Sequence, residues 1–267
     1  MVHAVPDPPA RSGTPEPQDI LGPRTDSALF VTLAIRRPGG AAVVREALPH
    51  LAGIIRPAGP GASAGVLGIG SAAWDRLLPG PRPARLRPFR ESAGVTAAQG
   101  DLFLHLRAQL PFSCFELARL VSEVLGDAVA VVDRVNGFRY GCPRNPQPAD
   151  AALVGPADDP RFAGGSYLHV RKHVHDPDRW RALPAAERDR LAGGRTLDSV
   201  ASEPEPGVVR DRMPFASITD GEYGALVVTY AADPAATGLA DRPLEVSTVV
   251  TGALYFVPPM AFLTGKG

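Results

Sequence analysis

The sequence predicts an α+β fold of two ferredoxin-like halves, the second lacking its second long helix. Three observations carry that expectation. Apolar runs and helical periodicities alternate as β-α-β-β-α-β between residues 28 and 135, the order of a ferredoxin-like unit. A fresh strand opens near residue 165 and starts the order again. The last crossover of that second series, residues 232–246, is punctuated by Pro234, Gly238 and Pro243 and leaves no room for a long helix.

Residues 28–35 (ALFVTLAI) are a continuous apolar run of the length a buried strand needs. Pro38-Gly39-Gly40 breaks the chain ahead of a helix over 41–56, where Val43, Val44, Ala47, Leu48, Leu51, Ile54 and Ile55 recur at helical spacing. A second strand, 64–69, closes at Gly70-Ser71, with Ser71 the expected N-cap of a short helix through Leu77. Residues 79–100, rich in Pro, Arg and Gly, read as a long loop. Strand 101–107, helix 112–125 ending at Gly126, and strand 128–135 complete the first half. In the second half, strand 165–174 leads to Asp176-Pro177, an N-cap and first-turn pair, and another helical turn runs from Leu183-Pro184 to about residue 191. Arg210-Asp211-Arg212 lies on a further strand, and strands 224–230 and 249–257 follow. Losing a covering helix bares a sheet face. Leu226, Val227, Val228, Val250, Leu254 and Phe256 are the apolar residues expected there, with a homo-oligomer, a related chain or a ligand as the cover.

Composition narrows the function classes. Lys plus Arg and Asp plus Glu both number 28, so no net charge steers the chain to nucleic acid or to an anionic membrane. The two cysteines, Cys114 and Cys142, form neither a disulfide framework nor a zinc site by spacing. No apolar run is long enough to span a bilayer. Residues 1–17 are Pro-rich without an apolar h-region and are expected to be a disordered leader. Arg36-Arg37 precedes no such region either, which makes a twin-arginine signal unexpected and the cytoplasm the expected compartment. The organisation expected is a leader over 1–17, an N-terminal half over 18–140 and a C-terminal half over 141–267.

An ordered series of short stretches supplies more. It includes Gln18-Asp19-Ile20-Leu21-Gly22-Pro23, Leu86-Arg87-Pro88-Phe89, Gly100-Asp101-Leu102-Phe103-Leu104-His105-Leu106-Arg107 and Gly137-Phe138-Arg139-Tyr140. Phe162-Ala163-Gly164-Gly165-Ser166-Tyr167, Val209-Arg210-Asp211-Arg212-Met213-Pro214-Phe215 and Thr251-Gly252-Ala253-Leu254-Tyr255-Phe256-Val257-Pro258 continue it. Together they make the chain resemble the dye-decolourising (DyP-type) heme peroxidases, in particular the bacterial subclass without an export signal. The resemblance implies the two-half (dimeric α+β barrel) fold and a heme in the C-terminal half. That heme would be held by an axial His, with an Asp from a G-x-x-D-G motif and an Arg on the peroxide side. Of these only the Arg carries over, as Arg210. Where the Asp motif should lie the chain has Gly141-Cys142-Pro143-Arg144, and the interval from Ser199 to Val209, where the ligand His should lie, holds none. An Asn that the family places two residues after the Arg is here Arg212; Arg210 and Arg212 flank Asp211 and point to the same side of the strand, as a relic anion or propionate site or as surface ion pairs.

Other candidates have a functional and a plainer reading. His169, Arg171 and His173 share a strand face, which His175 joins if the strand continues. They are candidates for a substitute heme ligand or a transition-metal pair, or simply a polar, solvent-facing strand edge. His105 is read as a hydrogen-bonded structural histidine rather than a catalytic one. Cys114 sits in a helical pattern as a small buried hydrophobe, and Cys142 is a weak candidate for an oxidisable thiol. Gly68-Ile69-Gly70 lacks the third Gly of a dinucleotide loop and is a turn. The first functional reading is therefore a degenerate paralogue without heme that binds another ligand or assembles with an intact peroxidase. An active heme peroxidase with His169, His173 or His175 as ligand, and a heme-independent tailoring enzyme, are the alternatives. With the sequence stopping at Lys266-Gly267, the tail that sends some family members into protein shells is not expected.

Overall fold

The computed structural model describes residues 15–59, 62–90, 94–98, 100–139, 150–192, 206–239 and 246–265. β1 (Ser27–Ile35) is buried almost throughout, and α1 (Gly40–Ile55) turns Val44, Leu48, Leu51 and Ile55 into the same core. β2 (Ala64–Gly70) runs directly into α2 (Ser71–Leu77). Gly70, not Ser71, is the N-cap there, because the extended strand backbone persists to Gly70 and Ser71 is already helical. The loop read over 79–100 contains a two-residue strand, β3 (Thr96–Ala97). β4 (Leu102–Ala108), α3 (Pro111–Leu125) and β5 (Val129–Phe138) complete the first half. The second half consists of β6 (Ser166–His175), α4 (Pro177–Ala182), α5 (Ala185–Ala192), β7 (Val208–Ser217), β8 (Glu222–Ala231), α6 (Ala236–Leu239), β9 (Ser247–Val257) and α7 (Met260–Leu263). The Asp176 carboxylate caps α4 by accepting from the amides of Asp178 and Arg179, as its position ahead of Pro177 predicts.

The strands pair in the order β5-β1-β4-β2-β9-β6-β8-β7, with β3 added on β9. Each half thus runs fourth, first, third, second strand, the ferredoxin-like order, and the halves meet at β2 and β9. Between β8 and β9 the described residues hold only the single turn α6, which is the missing long helix. Of the segment expected as leader, residues 1–14 lie outside the described residues. Glu16, though exposed, is already tied to the fold: its carbonyl accepts from the Met260 amide and its carboxylate pairs with Arg56.

Two cores result. One lies under α1, α2 and α3 and draws on both halves, with Trp74 edge-on to Phe162 and Phe256. The other fills the space between the sheets and joins Phe30, Val66 and Phe103 to Leu168, Val170, Met213, Val228 and Tyr255. This corrects the expectation of a bared apolar face. Leu226 and Val228 point into the interior core, Phe256 belongs to the first core and Val227 is buried, while Val250 and Leu254 are half-buried. A curved sheet whose end strands lie against one another buries the inner faces of both halves against each other, so a continuous apolar run does not mark an exposed face.

Candidate functional site

Register defines the site. Arg210 lies opposite Thr229, which lies opposite His169, which lies opposite Leu254. The next row is Arg212, Val227, Arg171 and Gly252, and His173 follows opposite Ala225. Directly opposed residues share a face, so Arg210, Arg212, Arg171, His169 and His173 all stand on the outer face of the second sheet. Asp211, between the two arginines, turns inward.

His169, His173, His175 and Arg210 are all buried. The expectation of a solvent-facing strand edge is therefore wrong. β6 is a central strand, between β9 and β8, and its polar face is covered. His169 Nδ1 lies 3.1 Å from the Thr237 hydroxyl on α6, and the Phe89 ring is tilted against the imidazole at 5.5 Å. Phe89 also lies on Gly252, where a side chain of any size would meet the ring. His175 Nδ1 lies 2.6 Å from the Ser247 hydroxyl, with Tyr223 edge-on to its ring. An axial ligand needs an imidazole nitrogen facing room for a flat macrocycle. His169 and His175 each have one ring nitrogen engaged in these contacts and His173 is fully buried, an arrangement that suits structural histidines better than heme ligands. Among the described residues no cluster of three or more His, Cys, Asp or Glu is placed to hold a metal. Residues 141–144, with Cys142, and residues 199–205 of the interval in which a ligand His was sought lie outside the described residues.

On the inner face, sequence reading missed a buried polar cluster. The Asp211 carboxylate pairs with the Arg139 guanidinium and lies 3.8 Å from His105 Nε2. His105 Nδ1 is 2.8 Å from the Tyr230 hydroxyl, and the imidazole stacks on Phe30. Arg107 and Asp19 form a second pair at 2.8 Å. Burial, helped by Arg107, pushes His105 down to about 3, so its imidazole is neutral at ordinary pH. Burial, the largest single influence, would raise the Asp211 carboxyl, but Arg139 with its hydrogen bond and the nearby His105 and Arg107 together outweigh it and hold the group below its usual value. Burial pushes the Tyr230 hydroxyl up, and the buried Cys114 thiol up to about 11. The signal that could have found this cluster was the Arg-Asp-Arg alternation, which sends Asp211 to the face opposite its neighbours.

Residues 17–139 match the family profile described as Dyp-type peroxidase, N-terminal, and residues 134–203 match Dyp-type peroxidase, C-terminal. The dye-decolorizing peroxidase of Mycobacterium tuberculosis is 36% identical over 301 aligned positions, which take in 92% of this chain and 89% of that one. Since this chain has only 267 residues, the relative carries stretches within the aligned region that are absent here. Among solved structures, the encapsulated DyP-type peroxidase from Mycobacterium smegmatis superposes with a TM-score of 0.79 at 33% identity, covering 94% of this chain and 98% of that one. A DypB variant from Rhodococcus jostii in complex with heme gives 0.74 at 30% identity over 94% and 99% of the two chains.

Proposed function

The chain belongs to the Dyp-type peroxidase family, and from that premise we propose a heme-independent member whose C-terminal half binds a small anionic ligand around Arg210. One observation carries the reading: two adjoining rows of the outer face present Arg210 with His169 and Arg212 with Arg171, while the intervening carboxylate, Asp211, is turned inward. Guanidinium groups side by side suit carboxylate or phosphate oxygens.

Peroxidase chemistry needs an axial imidazole, a group that moves a proton across peroxide and a cation for the departing oxygen. Arg210 suits the last. For the first two the sequence has no counterpart at the family's positions, and the imidazoles of β6 are built into the sheet. The protein as expressed with a heme precursor should hold far less than one heme per chain and show negligible peroxide-dependent dye oxidation. Calorimetry with inorganic phosphate should give saturable binding that Arg210→Ala weakens about tenfold, the loss of roughly one charge-assisted contact. Full heme occupancy with dye turnover, or no phosphate binding by the unaltered protein, would overturn this reading.

The heme-bound relative favours a second reading, an active peroxidase with a substitute ligand. A full Soret band lost in a single His→Ala variant at 169, 173 or 175 would establish it. Association with a second copy or a related intact peroxidase, and a cytoplasmic setting, belong to the proposal as well. Among the described residues no helix is long and apolar enough to cross a membrane. Light scattering tests the association.

A further inference from the structure

β5 and β7 end the strand path and lie against one another, with Gly137 packed so closely on Met213 that a Cβ there would come within 2.8 Å of the Met213 Cβ. No ladder joins these two strands among the described residues. The seam is closed instead by two arginines of the N-terminal half. Arg24 Nη2 donates to the backbone carbonyl of Arg210 at 3.0 Å. The Arg139 guanidinium pairs with the Asp211 carboxylate and reaches Met213 Sδ at 3.1 Å. Arg139 is itself anchored, its amide donating to the Asp26 carbonyl at 2.8 Å and its Nε to the Thr25 carbonyl at 3.3 Å. His105, tied to Tyr230, stands at the other oxygen of Asp211.

We propose that Arg24, Arg139 and Asp211 are positioning residues for Arg210, so that the N-terminal half governs the ligand site in the C-terminal half. The geometry of a strand makes this a rigid linkage. Neighbouring side chains point to opposite faces, and a slip of one residue exchanges them. Holding Asp211 inward and the Arg210 carbonyl at the seam leaves the Arg210 side chain only the outer face, in the row of Thr229 and His169. Breaking a buried pair such as Arg139–Asp211 leaves an uncompensated charge, which gives the inward position of Asp211 its strength.

The inference deepens the anion-binding reading, so its test has one readout free of any ligand. Hydrogen exchange of the segment spanning β7 is compared between the unaltered protein and the variants Arg24→Ala, Arg24→Lys and Asp211→Asn. Arg24 is only half-buried, so its alanine variant keeps the proposal testable should Asp211→Asn fail to fold. The expected result is exchange about tenfold faster in β7 for Arg24→Ala, with β6 and β9 unchanged and Arg24→Lys close to the unaltered protein. Phosphate titration well below the unfolding temperature should show the same ranking. Exchange in β7 no faster than in β6, or exchange accelerated equally in every strand, would overturn the positioning role. Absence of phosphate binding in the unaltered protein would overturn the anion reading and leave the exchange result to decide the clamp.

Discussion

The two halves share one strand order and differ in what covers it. The N-terminal half lays α1, of 16 residues, and α3, of 15, on its sheet, and buries Leu48, Leu51 and Val121 beneath them. Among its described residues the C-terminal half has only short helices: α4, of six residues with none buried, the polar α5, and the single turn α6, which packs on β6 and β8. Arginines and histidines stand on its outer face in place of leucines. The same topology thus serves a packed core in one half and a polar face in the other, and the ordering of stability should follow the packing rather than the topology.

Three measurements press on that contrast. The largest effect should come where the halves are not independent. Arg139→Met strands the Asp211 carboxylate in the interior and should cost about 3–5 kcal/mol in urea unfolding. A cost near zero would mean that the seam is slack. Next, Leu51→Ala, on the fully buried side of α1, should cost about 2–5 kcal/mol, the range for an apolar cavity. Trp180→Ala on α4, a larger truncation in the thinly covered half, should cost less. Equal costs would erase the distinction between the halves. The last effect is a slope, smallest when read over a single pH unit. His105 is held neutral in the folded chain, from an ordinary 6.5 down to about 3, so between those values the unfolded chain binds one more proton. The stability that His105 contributes is complete above about pH 6.5 and is lost as pH falls toward 3. The wild type should therefore lose up to about 1.4 kcal/mol per pH unit relative to His105→Asn across that window.

Much of the architecture was legible because the apolar pattern is strong where packing is tight. The strands and the two long helices of the N-terminal half fall within a few residues of their expected limits, and Asp176-Pro177 announced α4 by chemistry that needs no tertiary partner. What depended on distant contacts was hidden. β3 is two residues long and exists only because β9 offers an edge. The imidazoles of β6 alternate like an exposed strand, yet β6 is central and covered. Leu226 and Val228 looked exposed for want of a helix, but they face the opposite half, which no single strand reveals. At the site, Arg210 and the shared face of Arg210 and Arg212 were readable from alternation. The partners of Asp211, Arg139 and His105, lie 72 and 106 positions away in the chain and were not.

Among the described residues β9 is the longest strand, and β2 pairs with it only at Tyr255 and Phe256. Further along the same side, β3 takes up Thr251 and Gly252, and the Ala98 amide donates to the Gly252 carbonyl at 2.8 Å. The loop that carries β3 is thus a guard on a sheet edge. An unguarded stretch of strand invites pairing with another molecule, the common first step of fibrillar aggregation. In this chain a few residues of irregular backbone, drawn across from the opposite half, occupy that stretch of edge.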